Sequence, residues 1–575
     1  MLQVVGKTTI ALHRIAYLIY NYEKEFRPDE FMIIAPTKFF LNYISNILPD
    51  LGVNDVKQYT FEDFAYNVIG KKLKISDNNE KLVMIVNNEI DSEYKENIDV
   101  ILQESKFKSS IRFKKIIDKY LRYIENNYIP KADFCFNGYI IMDYKEINEL
   151  FTSTYNMYNF AMRINEIEKN LIYEFRKKSD KIVEELKLER SKAVENLQGE
   201  KRIKVYEEYE KKIYLIEKDY KKIVKNYLKQ LHNKTCIDYY KDFLENYLVV
   251  LDNNKEVNIN ENLSQFEDNR LNEKSNQFED NRVNEKLDKF ADNELNEIIK
   301  YLKKSTLRNL SNNEVTFEDL APLMYLQYRI AGIKEKCKIK HVVIDEAQDY
   351  GEFQFDVLKT ILNSNSMTIL GDIAQGVHYY RGIENWKRFI DVEFNDTNVT
   401  YTTLHKTYRT TKEIMDVANS VINKLPKYEK EFIVLGEPVI DRKDSINIQK
   451  QDNMKELIMS VNSRVDEYLK NNYKSIAIIG KDMKECKEIY KEIAKLRNDV
   501  KLIQGKDSEY NAGISIVPSY LAKGLEFDCV IIANANKENY GNSSLDIKLL
   551  YVTITRAMSK LDVFYVGEMS ELLAV

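Results

Sequence analysis

HVVIDEAQDY, residues 341–350, is a short β-branched apolar run that ends in two acids. Unbroken apolar runs of four to eight residues read as strands buried on both faces of a parallel sheet. Ligands collect at the carboxyl ends of such strands, and Asp345 and Glu346 stand at that end. One carboxylate there can hold a magnesium-bound water while the next orients an attacking water. A pair of acids after a strand is also a common solvated strand end, so the pair gains meaning only from its company.

The same pattern recurs along the chain. MTILGDIAQG (367–376), SIAIIGKD (475–482), GISIVPSY (513–520), FDCVIIANA (527–535) and LDVFYVG (561–567) are further candidate parallel strands, as is FMIIAP (31–36) upstream. TTIALHRIAYLIYNY (8–22) and FFLNYISNIL (39–48) carry helical spacing between them. The fold class predicted is therefore α/β, with strands and helices alternating at both ends of the chain.

From about residue 75 to 310 the character changes to Lys/Glu-rich helix. Apolar residues three and four apart in EIEKNLIYEFRKKSDKIVEELKLERSKAVENL (166–197) and KRIKVYEEYEKKIYLIEKDYKKIVKNYLKQL (201–231) predict two long amphipathic helices, an antiparallel hairpin turning near Gly199. A tandem repeat follows, QFEDNRLNEK, QFEDNRVNEK and a decayed KFADNELNE, with Phe266, Phe278 and Phe290 twelve residues apart. That step is too short for a solenoid unit, and its Asn, Asp and Glu content predicts a solvated expansion.

At 575 residues the chain is too long for one core, and three or four units are expected at roughly 150 residues each. Its net charge of −5 excludes a generic polyanion binder, so any nucleic-acid contact must be local. Cys135, Cys236, Cys337, Cys486 and Cys529 lie far apart without a C-x-x-C pair, which argues against a disulfide framework and a zinc site. Neither a leader pattern nor an apolar run long enough for a bilayer is present, and a cytoplasmic protein without membrane contact is expected.

Gly6-Lys7-Thr8-Thr9 before an apolar helix matches the back half of a phosphate-binding loop, G-x-x-x-x-G-K-[ST], with Met1 where the first glycine belongs. Phosphoryl transfer needs a lysine on the phosphates, a hydroxyl and an acid for Mg²⁺, and a group that positions water. Lys7, Thr8, Asp345 and Glu346 together supply that set.

DEAQD, LGDIAQGVHYYRG (370–382), TYRTTKEI (407–414), AKGLEFD (522–528) and LLYVTITRA (549–557) occur in the order of the motifs of UvrD-type superfamily 1 helicases, which the chain resembles. ALHRIAYLIYNYEKEF (11–26) through NYISNILPDLG (42–52) is similar to the HelD family, relatives of UvrD that act on bacterial RNA polymerase. The resemblance implies two RecA-like motor domains using ATP and Mg²⁺. It places Gly6, Lys7, Thr8 and Thr9 on the phosphates, Thr8 and Asp345 on the metal, and Glu346 as general base. Gln375 then senses the γ-phosphate, Arg409 and Arg556 neutralise transition-state charge, Tyr408 lies beside adenine, and Glu526 contacts ribose with Gly524 allowing close approach. Thr37 and Thr60 fall where the strand backbone is touched and Tyr380 where a base stacks, although in a chain with 40 tyrosines a core role is equally natural.

Two departures shape the functional expectation. Only about a hundred residues separate Tyr408 from Gly513, where UvrD-type helicases hold a large extra domain, and the long helical segment instead interrupts the first motor domain as in HelD. Met1–Val5 also stands where the resemblance implies a strand, a glycine-rich loop and, further upstream, a coiled coil. A reading frame that starts late is the expectation, with weaker nucleotide binding and an exposed sheet edge. The organisation expected is 1–74 and 313–400 as two parts of the first motor domain, 75–312 as the helical insertion with its repeat at 262–297, and 401–575 as the second. The function expected is a HelD-like ATPase that remodels RNA polymerase bound to DNA. The alternatives are a 3′–5′ DNA helicase working on single-stranded DNA and a polymerase-binding protein that hydrolyses nothing.

Overall fold

The computed structural model describes residues 7–22, 26–70, 73–87, 98–231, 234–248, 292–333, 338–395, 398–504 and 513–574. In chain order the strands of the first half are β1 (Phe31–Ala35), β2 (Lys57–Thr60), β3 (Lys74–Ile75), β4 (Phe134–Phe136), β5 (Tyr139–Met142), β6 (Glu314–Val315), β7 (His341–Ile344) and β8 (Met367–Ile369). The second half adds β9 (Lys406–Thr411), β10 (Glu437–Ile440), β11 (Ile446–Gln451) and β12 (Ser475–Gly480). It ends with β13 (Val500–Leu502), β14 (Gly513–Pro518), β15 (Phe527–Ile532) and β16 (Ala557–Val566).

Two parallel sheets organise these strands. The first runs β2-β1-β7-β8 and the second β11-β16-β15-β12-β14-β13, every pairing parallel. Both are covered on two sides, which is why their central strands read as continuous apolar runs. In the first sheet Phe31, Ile33 and Val343 face α1 (Lys7–Asn21) and α2 (Lys38–Asp50), meeting Ala11, Leu12, Ile15, Ile44 and Leu48. Met32, Ile34, Val342 and Ile344 point the other way. In the second sheet Ile476, Ile478 and Ile531 pack under one pair of helices, and Ala477, Ile479, Val530 and Ile532 join a separate core on the opposite face.

Residues 75 and 314 lie side by side. The parallel pair β3–β6 matches Ile75 with Val315 and Lys74 with Glu314, and an ion pair between Lys74 and Glu314 closes it. This separate two-stranded pair brackets a helical body, after which the chain re-enters the first sheet at β7, beside β1. That body shares one apolar core with the first sheet, running from Met32 and Ile34 through Phe113, Phe151, Phe175 and Tyr240 to Val342 and Phe355.

Its longest helix, α8 (Phe160–Val194), begins at the Asn159 cap and folds back through a short turn onto α9 (Gly199–Glu217), with Arg190 paired to Glu210 and stacked on Tyr206. The second helix of the expected hairpin is broken. α9 stops at Glu217 and α10 (Tyr220–Leu228) restarts after Asp219, whose carbonyl accepts from Lys222 N–H at 2.8 Å. The break turns Tyr220 onto the Phe175 ring, with Arg176 over its face. The repeat with Phe266, Phe278 and Phe290 lies outside the described residues, as does Cys337. The other four cysteines are free thiols.

Candidate functional site

β7 delivers Asp345 and Glu346 to the end of the first sheet. Asp345 is buried, and its Oδ1 accepts the Glu346 N–H at 2.8 Å. Glu346 takes a left-handed backbone, φ 50° and ψ 39°, which is costly for a residue with a Cβ and is kept where structure aims a side chain. Gln348 then works in both directions. Its amide donates to Glu346 Oε2 at 2.5 Å, and its carbonyl oxygen accepts from Asp372 N–H at 2.8 Å, tying the β7 loop to the β8 loop.

In the β8 loop Asp372 caps a helical turn and accepts from the Gln375 amide at 2.8 Å. Gln375 Oε1 accepts from Arg556 Nη2 at 2.6 Å, across from the second sheet. Arg556 is 1% exposed and also donates to the carbonyls of Val552 (3.0 Å) and Leu525 (3.3 Å). Burial and the neighbouring Arg409 lower its pKa to about 10, while Glu346 and Glu526 pull the other way, so it stays charged at neutral pH. Arg409 pairs with Glu526, the residue expected on ribose. Two residues before Glu526, Gly524 adopts φ +80°, and a Cβ there would meet nothing within 4 Å, so backbone conformation rather than space calls for glycine.

A further group, Lys523, had no sequence signal of its own. Lys523 Nζ lies 2.6 Å from Asp349 Oδ2 and 3.3 Å from Glu346 Oε2. Burial disfavours both charges and raises Asp349, but the two carboxylates outweigh it at Lys523, which is held above the usual lysine range. The only cue in the sequence is its place in AKGLEFD.

Lys7, Thr8 and Thr9 form the first turn of α1, and Gly6 lies outside the described residues. One turn further on, Ile10 lines a pocket of about 460 Å³ with Thr403, Leu404, His405, Lys406, Tyr408 and Glu437. Tyr408 is 46% exposed there, so its ring face is open to a ligand.

The three residues expected on nucleic acid are differently placed. Thr37 is exposed and accepts from Phe40 N–H as the cap of α2. Thr60 is buried and caps α3 (Phe61–Ile69), bonded to Asp63. Tyr380 is 2% exposed, its hydroxyl 2.9 Å from His378 Nδ1, so in this conformation it presents no open ring to a base. The apolar core around it, with Ala374 and Val377, took the ring that the motif places near DNA.

A hard cation fits this donor set. Among the described residues no three His, Cys, Asp or Glu converge as a metal cage. Mg²⁺ is commonly held by one or two carboxylates together with phosphate oxygens and water, and Asp345 at the end of β7 is such a carboxylate. Among the described residues no helix is long and apolar enough to cross a membrane.

The class defined by this geometry is an α/β protein whose two parallel sheets meet over a carboxylate, glutamine and arginine site. Residues 215–391 match the UvrD/REP helicase N-terminal domain, and residues 513–563 the UvrD-like helicase C-terminal domain. Relatives include a probable DNA helicase II homolog of Mycoplasma capricolum, 31% identical over 36% of this chain and 29% of that protein. A probable DNA helicase of Mycoplasma pneumoniae is 22% identical over 43% of this chain and 48% of its own length, and the ATP-dependent DNA helicase Rep of Buchnera aphidicola is 27% identical over 23% and 21%. The chain spans less than half the length of each. The solved C-terminal domain of a possible DNA helicase from Lactobacillus plantarum is 32% identical, covering 29% of this chain and 92% of that one, with a TM-score of 0.24. Over those two segments the chain is similar to UvrD/REP-type helicase domains.

Proposed function

We propose that the protein is an ATP-driven motor on single-stranded DNA, of the UvrD type with 3′–5′ polarity. The observation that carries this is the contact of Arg556 with Gln375, which joins the second sheet to the loop beside the Walker-B acids Asp345 and Glu346. Mg-ATP would lie between the sheets, with Gly6, Lys7, Thr8 and Thr9 toward its phosphates, Thr8 and Asp345 toward the metal, and Tyr408 beside the base. Glu346 would take the proton of the attacking water, Gln375 would report the γ-phosphate, and Arg409 and Arg556 would balance charge that develops in transfer. Glu526, paired with Arg409 here, would exchange that partner for ribose when nucleotide enters. Thr37, Thr60 and Tyr380 would reach DNA only after the cleft rearranges.

Expectation from sequence put polymerase remodelling first. The relatives are DNA helicases by name, and that support reverses the order. The test is Mg-ATP hydrolysis with and without single-stranded DNA, beside Glu346→Gln, followed by unwinding of a 3′-tailed duplex. DNA-stimulated turnover that Glu346→Gln abolishes supports the motor reading. Turnover indifferent to DNA counts against it.

One observation favours the HelD-like reading as a second. The helical body begins and ends at β3–β6, and its hairpin exposes Tyr173, Leu188, Ile203 and Tyr214. ATP-sensitive capture of core RNA polymerase, lost when residues 176–214 are replaced by a short turn, would support it. Capture indifferent to ATP would instead support a non-hydrolysing binder.

A further inference from the structure

We propose that Lys523 is a positioning residue for ATP hydrolysis, a cross-cleft bridge that orients the water-activating Glu346 only when the two sheet units are docked. The proposal rests on the motor reading above.

The loop between β14 and β15 brings three groups to the cleft within four residues. Lys523 reaches Glu346 and Asp349, the Leu525 carbonyl accepts from Arg556 at 3.3 Å, and Glu526 pairs with Arg409. The loop is short and fixed. Ala522 N–H bonds to Pro518 at the end of β14, Leu525 N–H bonds to Ala522 at 3.1 Å, and Gly524 supplies the left-handed turn between them. Its three contacts therefore move together.

A lysine is an expensive residue to place here. Its long stem loses rotamer freedom and its ammonium loses water, and only close carboxylates offset both. Asp349 alone would suffice for that, at 2.6 Å. The second contact, at 3.3 Å, falls on Glu346 Oε2, the same oxygen that Gln348 holds. Glu346 is thus gripped from its own unit by Gln348 and from the other by Lys523. Its carboxylate orientation becomes a reporter of docking, in step with the two arginines that the same loop positions.

The experiment compares steady-state ATP hydrolysis with single-stranded DNA for the native chain, Glu346→Gln, Lys523→Ala and the charge-balanced pair Lys523→Met with Asp349→Asn. Thermal melting of each is recorded. The expected result is a kcat about tenfold lower or more in both Lys523 variants, with KM for ATP changed by less than about threefold. The charge-balanced pair guards against loss of folding, because it removes the cation together with the charge of Asp349, its nearer carboxylate. A well-folded Lys523 variant with kcat within about twofold of native overturns the proposal, as does a loss confined to KM. A native chain without activity overturns the motor reading and this proposal together, so the two failures are told apart.

Discussion

Arg556 Nη2 and Gln375 Oε1 are 2.6 Å apart although 181 residues separate them in the chain. Through this bond the residue just before β16 holds the loop that follows β8. Gln375 in turn holds Asp372, whose N–H reaches Gln348, which holds Glu346. A displacement of Arg556 therefore has a hydrogen-bonded path to the Glu346 carboxylate.

Arg556→Ala is expected to lower kcat for DNA-stimulated ATP hydrolysis by about 10³-fold, in the range found for arginines that neutralise phosphoryl-transfer charge. Arg556→Lys should recover little, because one ammonium cannot reach Gln375 and the Val552 and Leu525 carbonyls together. Rates at saturating Mg-ATP check both.

His341 predicts an acid-sensitive fold. Its ring is buried between Ser366 Oγ (2.8 Å) and Thr368 Oγ1 (2.9 Å), and burial, with Arg14 nearby, lowers its pKa to about 4. The unfolded chain binds a proton near the ordinary value of about 6.5, which the folded chain refuses until about pH 4. Stability is therefore full above that window and is lost as pH falls through it, by about 3 kcal/mol in all. Melting temperature followed between pH 7 and 4 should show the slope, and His341→Gln should flatten it.

Lys108 sits in a buried ion cluster where the helical body meets the segment after β6. Its Nζ is 2.8 Å from Glu104 and 2.7 Å from Asp319, with Lys81, Glu318 and Arg381 alongside. Lys108→Met leaves two buried carboxylates short of a cation and should destabilise the fold by about 3–5 kcal/mol. Denaturant titration measures it. Lys106→Met, which loses only the exposed pair with Glu384, should change stability by less than about 1 kcal/mol.

Gly382→Ala tests the packing behind Gln348. A Cβ at Gly382 would come 1.9 Å from the Gln348 carbonyl oxygen, which is backbone and bonded to Ile383 N–H at 3.1 Å. Relief requires Gln348 to move, and with it the grip on Glu346 and Asp372. A stability loss of about 1–3 kcal/mol is expected, with a fall in ATP turnover at temperatures where the variant remains folded.

Much of the fold was legible because its central strands are local. FMIIA, HVVI, SIAIIG, GISIVP and FDCVII are short apolar runs that can only be buried, and the parallel sheets place all five. The edge strand β11, INIQKQ, alternates with polar residues and was not foreseen. The hairpin β4–β5 was also missed, although Asn137-Gly138, both at positive φ between apolar residues, is a strong turn signal. The Lys/Glu pattern of 201–231 gave no sign of the break at Lys218–Asp219, after which Tyr220 stacks on the Phe175 ring of the preceding helix.

By itself, then, the sequence determined the α/β class, the positions of the acids, arginines and glutamine, and the helical character of 166–228. These follow from residue type and spacing within a few turns. Only the tertiary structure decided that Lys523 meets Glu346 and Asp349, that Glu526 is paired with Arg409, that Tyr380 is buried, and that β6 returns to pair with β3. The three pairings join groups about 100 to 240 residues apart, whose meeting is set by how sheets and helices pack and leaves no periodic trace along the chain.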